Sequence, residues 1–470
     1  MYQRTVLPNG IRIVTETIPH VRSAAIGFWY RAGSRDETPE KNGISHLIEH
    51  LMFKGTKNRT AKQIAEEIDA AGGQMNAYTS KEHTCYYARV LDEHVDLAIE
   101  ILADMLLNSV FAPGEMEKEK GVILEEIKMY EDSPDEIVHD LFAEAAFAGH
   151  PLGQSVLGHE ETVKAIRRED VLAYIDQRYV GENLVVAAAG RLVHDEIVEM
   201  VQRWFGGLPR GSGNDRAIPP NKAFPLRIQP KETEQVHLCV GARSFPRNHA
   251  DRYAVHVIDV ALGGGMSSRF FQELREERGL VYSTYSYHAS FQETGLFTIY
   301  AGVSPANLLE VLHLIRDGLD RVVRDGLEPA ELQRAKEQLK GSLMLGLENT
   351  ANRMSRIAQA ELFDEELLTP DQLIETIDRV SLDDVHRVLR ELFGGDLVVA
   401  AVGPLREDEL HRALDEMRVR KDGRCEDRGE SEAGIAADRP DGPPAQVRDR
   451  GGRRAGSGRV HRGAADAFAR

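Results

Sequence analysis

Apolar and polar positions follow two different periods along this chain. Ser23–Tyr30 (SAAIGFWY) and residues 184–189 (LVVAAA) are short, nearly unbroken apolar runs, which predicts buried strands. Residues 44–52, 61–71, 93–107 and 114–129 instead bring apolar side chains back every three or four positions, which predicts helices. Pro113 stands at the start of the last of these, where a first-turn proline is tolerated. Strands and helices interleave without strict alternation, so the expected fold class is α+β, built of α/β sandwich layers. Residues 208–225 (LPRGSGNDRAIPPNKAFP) break both periods and read as a connector.

The pattern also repeats. Asn183-Leu-Val-Val-Ala-Ala-Ala-Gly190 returns as Asp396-Leu-Val-Val-Ala-Ala-Val-Gly403, a shift of 213 residues. The same shift carries Tyr87-Ala88 and Val90 onto Tyr300-Ala301 and Val303, and Asp195-Glu196 onto Asp408-Glu409. A period this long is not that of a solenoid. It predicts two homologous domains from an internal duplication, at 1–210 and 226–417, joined by a linker at 211–225. The remainder, 418–470, is expected to be a disordered tail. From Lys421 to Arg470 there are 11 Lys/Arg, 9 Asp/Glu and 9 Gly, with few large apolar residues to bury.

One predicted helix carries candidate chemistry. In His46-Leu-Ile-Glu49-His50, the two histidines are about 40° apart on the helix wheel, and Glu49 lies about 60° to the other side of His46. All three polar groups therefore share one arc, among the apolar residues Ile44, Leu47, Ile48 and Leu51. Unpaired burial of such groups is costly, so the arrangement points to a metal. A catalytic zinc needs a third protein ligand and an open fourth position. Glu126 is the candidate, and the adjacent Glu125, which points about 100° away, is its rival. Glu119 lies two turns before Glu126 on nearly the same face and suits a carboxylate that orients a ligating histidine. His83 is a further histidine nearby, but an isolated one is more often structural.

Here the chain resembles the pitrilysin/insulinase zinc metallopeptidases. His-x-x-Glu-His is the inverted zinc motif, and Glu126 follows His50 by 76 residues, the spacing of that family. The resemblance is closest to the two-domain branch that includes the mitochondrial processing peptidase β subunit and bacterial homologues. It implies one Zn2+ per chain held by His46, His50 and Glu126. Glu49 would be the general base and Glu119 the supporting acid. Asn76, Ala77 and Tyr78 would form an edge strand that pairs with the substrate backbone. Arg275 and Tyr282, downstream of the Gly263-Gly-Gly265 run, would contact bound peptide near the scissile bond. The triple glycine lacks the companions of a phosphate loop. With a shift of 210, Val260 replaces the second histidine, so the second domain is expected to bind no metal.

Composition narrows the partners. The 470 residues carry 58 Lys/Arg against 76 Asp/Glu, a net charge of −18. That disfavours nucleic acid and favours basic ligands. Three scattered cysteines (Cys85, Cys239, Cys425) form no CxxC pair, and neither a membrane-length apolar run nor a signal-like start is apparent. The expectation is a cytoplasmic zinc endopeptidase acting on basic, unfolded, presequence-like peptides. By the resemblance it pairs as a homodimer or with a paralogue. The alternative is a non-catalytic scaffold or peptide-binding subunit of the same fold.

Overall fold

The computed structural model describes residues 1–412 except 214, 215, 221, 222, 224, 407 and 409. The expected tail at 418–470 lies outside the described residues. The fold is α+β and two-domain, with one sheet in each half. The first sheet contains β1 (Tyr2–Val6), β2 (Arg12–Thr17), β3 (Ser23–Tyr30), β4 (Gln74–Thr79), β5 (Thr84–Leu91) and β6 (Leu184–Gly190). Its order is β1-β2-β6-β3-β5-β4. The second contains β7 (Leu226–Pro230), β8 (Val236–Ser244), β9 (Val281–Ser290), β10 (Gly295–Val303) and β11 (Val398–Gly403), in the order β7-β11-β8-β10-β9. Apart from β1 the two orders match, strand for strand. In both sheets one parallel pair (β2 with β6, β7 with β11) adjoins antiparallel neighbours.

The duplicated glycines have a backbone reason. Gly190 and Gly403 end matching strands at φ of 135° and 149°. A Cβ at Gly190 would lie 2.2 Å from the Ser23 carbonyl oxygen, so no larger residue fits that crossing.

The predicted helices form as α1 (Ile44–Met52), α2 (Ala61–Ala70), α3 (Val95–Asn108) and α4 (Pro113–Glu131), and α5 (Pro134–Ala146) follows. The shift of α3's start comes from a short 3₁₀ turn over Asp92–His94. One face of the first sheet buries Ile26, Phe28 and Tyr86 against Leu47, Ile48, Ile99 and Leu102 of the helices. This places α1 directly over the sheet.

The opposite faces are covered by exchange. Helix α5, from the first half, packs on β8 and β11 of the second sheet, where Phe142 and Phe147 meet Cys239, Tyr300 and Ala400. The helix Thr350–Leu362, from the second half, packs on β2, β3 and β6, where Met354, Ile357 and Leu362 meet Val14, Trp29 and Val185. Each half therefore supplies one wall of the other's core. Buried charges reinforce the junction. Arg35 pairs with Glu82 of the first half and Glu293 of the second, each at 2.5 Å. Arg216, within the stretch expected to be a linker, pairs with Asp36 at 2.7 Å.

Ile357→Asp places a charge at a buried position of the helix that covers β2, β3 and β6. It is expected to loosen this cover, bind a hydrophobic dye and associate on size-exclusion chromatography. A dye-silent, monomeric variant would contradict the exchange.

Candidate metal centre

Helix α1 starts without a side-chain cap of the usual kind, because Gly43 occupies the N-cap at φ 94°. Glu37 substitutes from a distance. Its carboxylate accepts from the backbone N–H groups of Gly43 (2.8 Å) and Ser45 (2.8 Å) and from the Asn42 amide (2.9 Å). A carboxylate at a helix N-terminus satisfies orphan donors and meets the positive end of the dipole. Burial nevertheless pushes the Glu37 acid up to about 7, against the pull of those donors.

The helix presents His46 and His50 together, with ring centroids 4.7 Å apart. Glu126, on α4, reaches both. Its Oε2 lies 3.7 Å from Nε2 of His46 and 3.7 Å from Nε2 of His50. One ligand atom from each of the three lies within 4.8 Å of the others, and this is the only such group of three or more metal-ligating side chains among the described residues. Tetrahedral zinc with bonds of about 2.0–2.1 Å sets its ligand atoms about 3.3–3.4 Å apart. The two Glu126–histidine separations are close to that, and two imidazoles with a carboxylate are a zinc-type donor set. Burial, with His50 beside it, lowers the His46 pKa to about 3, so the imidazole is the neutral, ligating form near neutrality. Buried His46 Nδ1 has no hydrogen-bond partner.

The surrounding groups fall into place around this cluster. Glu119 Oε2 lies 3.2 Å from His50 Nδ1, and its Oε1 forms an ion pair with Lys54 at 2.9 Å. That bond leaves His50 Nε2 as the nitrogen facing Glu126. Glu49 shares the helix face, and burial raises its pKa, while His50 and the hydroxyl of Thr79 favour its charged form. The rival, Glu125, turns outward to Lys128 at 2.7 Å and stays exposed.

Strand β4 is an edge, hydrogen-bonded only to β5. Its side chains do not all face outward. Ala77 is buried in the core, and the Tyr78 hydroxyl accepts from the Trp29 indole at 3.3 Å. Asn76 is exposed on this edge, and its Oδ1 accepts from the Ala77 backbone N–H at 2.8 Å. His83 is buried against Ser80, Tyr78 and Phe363, well occupied without a metal.

In the second half, Arg275 lies in a π-helical turn (Phe271–Glu277) with its guanidinium over the Tyr282 ring at 5.5 Å and over Phe271 at 4.8 Å. Tyr282 is 74% exposed. Arg275 and Tyr282 are brought together, but among the described residues no hydrogen bond or ion pair joins them to the His46 cluster. Sequence reasoning missed Glu37, Lys54 and Thr79, whose roles depend on tertiary approach and leave no local periodic signal.

Comparison with known proteins agrees with this geometry. The profile described as "Insulinase (Peptidase family M16)" matches residues 12–160, and "Peptidase M16 inactive domain" matches residues 165–339. The chain is 44% identical over 404 residues to the uncharacterized zinc protease YmxG of Bacillus subtilis, covering 86% of this chain and 98% of that one. It is 44% identical over 423 residues to an uncharacterized zinc protease of Streptomyces coelicolor, covering 88% and 92%. A crystal structure of a protease from Helicobacter pylori superposes with a TM-score of 0.79 at 22% identity, covering 86% of this chain and 99% of that one. A peptidase M16 inactive domain from Pseudomonas fluorescens gives 0.81 at 18%, covering 86% and 98%. The two profiles and the level of identity to full-length relatives establish that the chain belongs to the insulinase family of peptidases, M16.

Proposed function

We propose that this chain is a zinc-dependent endopeptidase with one metal centre, in its first half. The observation that carries the reading is the convergence of His46 and His50 of α1 with Glu126 of α4 within 4.8 Å, with Glu49 beside the two histidines on α1. Zinc bound there would polarise the scissile carbonyl and acidify the attacking water. Glu49 takes the proton from that water and delivers it to the leaving amine. Glu119 holds His50 through Nδ1 and fixes its tautomer. The open edge of β4 at Asn76, Ala77 and Tyr78 receives an extended peptide through main-chain hydrogen bonds, so recognition depends little on sequence. Arg275 and Tyr282 donate hydrogen bonds to the peptide carbonyl near the cleaved bond.

The substrates in this reading are basic, unfolded peptides, in keeping with the net charge of −18. No helix among the described residues is long and apolar enough to cross a membrane, and we place the activity in the cytoplasm. Arg275 and Tyr282 make no described contact with the metal cluster of their own chain. A dimer, of two copies or with a paralogue, would let one chain's pair serve the other's centre.

The purified protein is expected to contain about one zinc per chain and to cleave a quenched basic peptide. Glu49→Gln should lower turnover by about 10²- to 10⁴-fold while keeping its zinc. A Glu49→Gln protein as active as the wild type would refute the assignment. Glu119→Gln should weaken zinc binding by about 10- to 100-fold, measured by competition with a chromophoric chelator; unchanged affinity would remove Glu119 from the site. Mixing Glu49→Gln chains with Arg275→Ala chains should restore part of the activity if the pair acts across a dimer, and no recovery would count against that arrangement.

A further inference from the structure

Thr79 is the last residue of β4, the strand whose outer edge is open. Its hydroxyl donates to Glu49 Oε2 at 2.6 Å, across from the strand to α1. No other side-chain hydrogen bond to Glu49 occurs among the described residues. A glutamate has three side-chain torsions, and without this bond its carboxylate is restrained only by its surroundings. We propose that Thr79 is a positioning residue: its hydroxyl fixes the Glu49 carboxylate toward the metal cluster and ties it to the strand that receives the peptide.

The second half supports the reading by contrast. There β9 takes the place of β4 and the helix Arg252–Leu262 that of α1. Asp259 takes the place of Glu49, and Ser286 of β9 donates to it at 2.5 Å. A hydroxyl therefore joins helix to edge strand in both halves. Only in the first does the bond end on an acid beside a group of convergent metal ligands. The donor also sits at a different place. Thr79 lies opposite Thr84 on β5, whereas Ser286 lies opposite Ile299 on β10, two residues beyond the position matching Thr84. The contact at Thr79 is thus particular to the half that carries the cluster.

The inference rests on the peptidase reading, and it makes a demand of its own. A tether that aims the base acts in the turnover step, because the backbone edge that holds peptide is unchanged. Thr79→Val keeps the shape and the strand preference while removing the hydroxyl. It is expected to retain the wild-type zinc content and a KM within about twofold, while kcat falls by about 10- to 100-fold, the scale set by misplacing a reacting group. Thr79→Ser, which restores the donor, should recover most of kcat. Wild-type protein that carries zinc but cleaves no peptide would overturn the peptidase reading and this inference with it. Active wild-type protein with an equally active Thr79→Val variant would overturn the inference alone. So would a Thr79→Val loss that comes with lost zinc or raised KM, or that Thr79→Ser fails to repair, since those are marks of a purely structural tie.

Discussion

Desolvation is the constraint on which the site is built. Helix α1 buries Ile44, Leu47, Ile48 and Leu51 against the first sheet, and the same short helix must carry two imidazoles and a carboxylate. Polar groups removed from water are costly unless they find partners. Two of the three have a specific neighbour. Glu37 holds the helix start, Glu119 holds His50, and Thr79 holds Glu49. His46 is the exception, with a buried Nδ1 that has no partner and a pKa pushed down to about 3. A metal shared with His50 and Glu126 would offset that cost through Nε2, and the neutral imidazole is the form that binds it.

The architecture around the site is a duplicated sheet in which each copy closes the other. The strand order is common to both halves, yet α5 and the helix Thr350–Leu362 cover the sheets of the opposite halves. Neither sheet is fully covered by its own half. The buried Arg35, with Glu82 on one side and Glu293 on the other, adds a charged seam to the same junction. Glu82 also lies in the turn that follows β4, so the junction between halves and the end of the open edge strand are physically continuous. The copies differ in chemistry at the helix over each sheet. Val260 and Asp259 stand where His50 and Glu49 stand in the first half, and no second group of metal-ligating side chains forms among the described residues.

Much of this was legible in the amino-acid order. Ser23–Tyr30 and Ile44–Met52 form with the bounds their apolar periods predict, because both bury a continuous apolar face. The helix wheel was enough to bring His46 and His50 together and to place Glu119 and Glu126 on one face of α4. It left Glu125 open, and only tertiary placement turned that residue outward to Lys128. Edge position was harder to read, since Asn76, Ala77 and Tyr78 resemble any alternating strand until β4 is seen at the end of its sheet. The Tyr78 ring turns inward to Trp29 for a reason absent from its own segment. The exchange of helices left no local mark at all, because amphipathic periodicity states that a face is buried but not against what. Glu37 was hidden for a related reason, acting on the helix start from outside the usual capping position.

The proposed activity depends on the ligand set of one ion. Zinc K-edge X-ray absorption on the purified full chain tests it most directly. The prediction is one zinc per chain, with two imidazole nitrogens and one carboxylate oxygen at about 2.0–2.2 Å, and loss of the imidazole signal and of tight binding in His50→Ala. A chain that binds no zinc, a shell containing sulfur or only oxygen, or an unchanged spectrum in His50→Ala would contradict it.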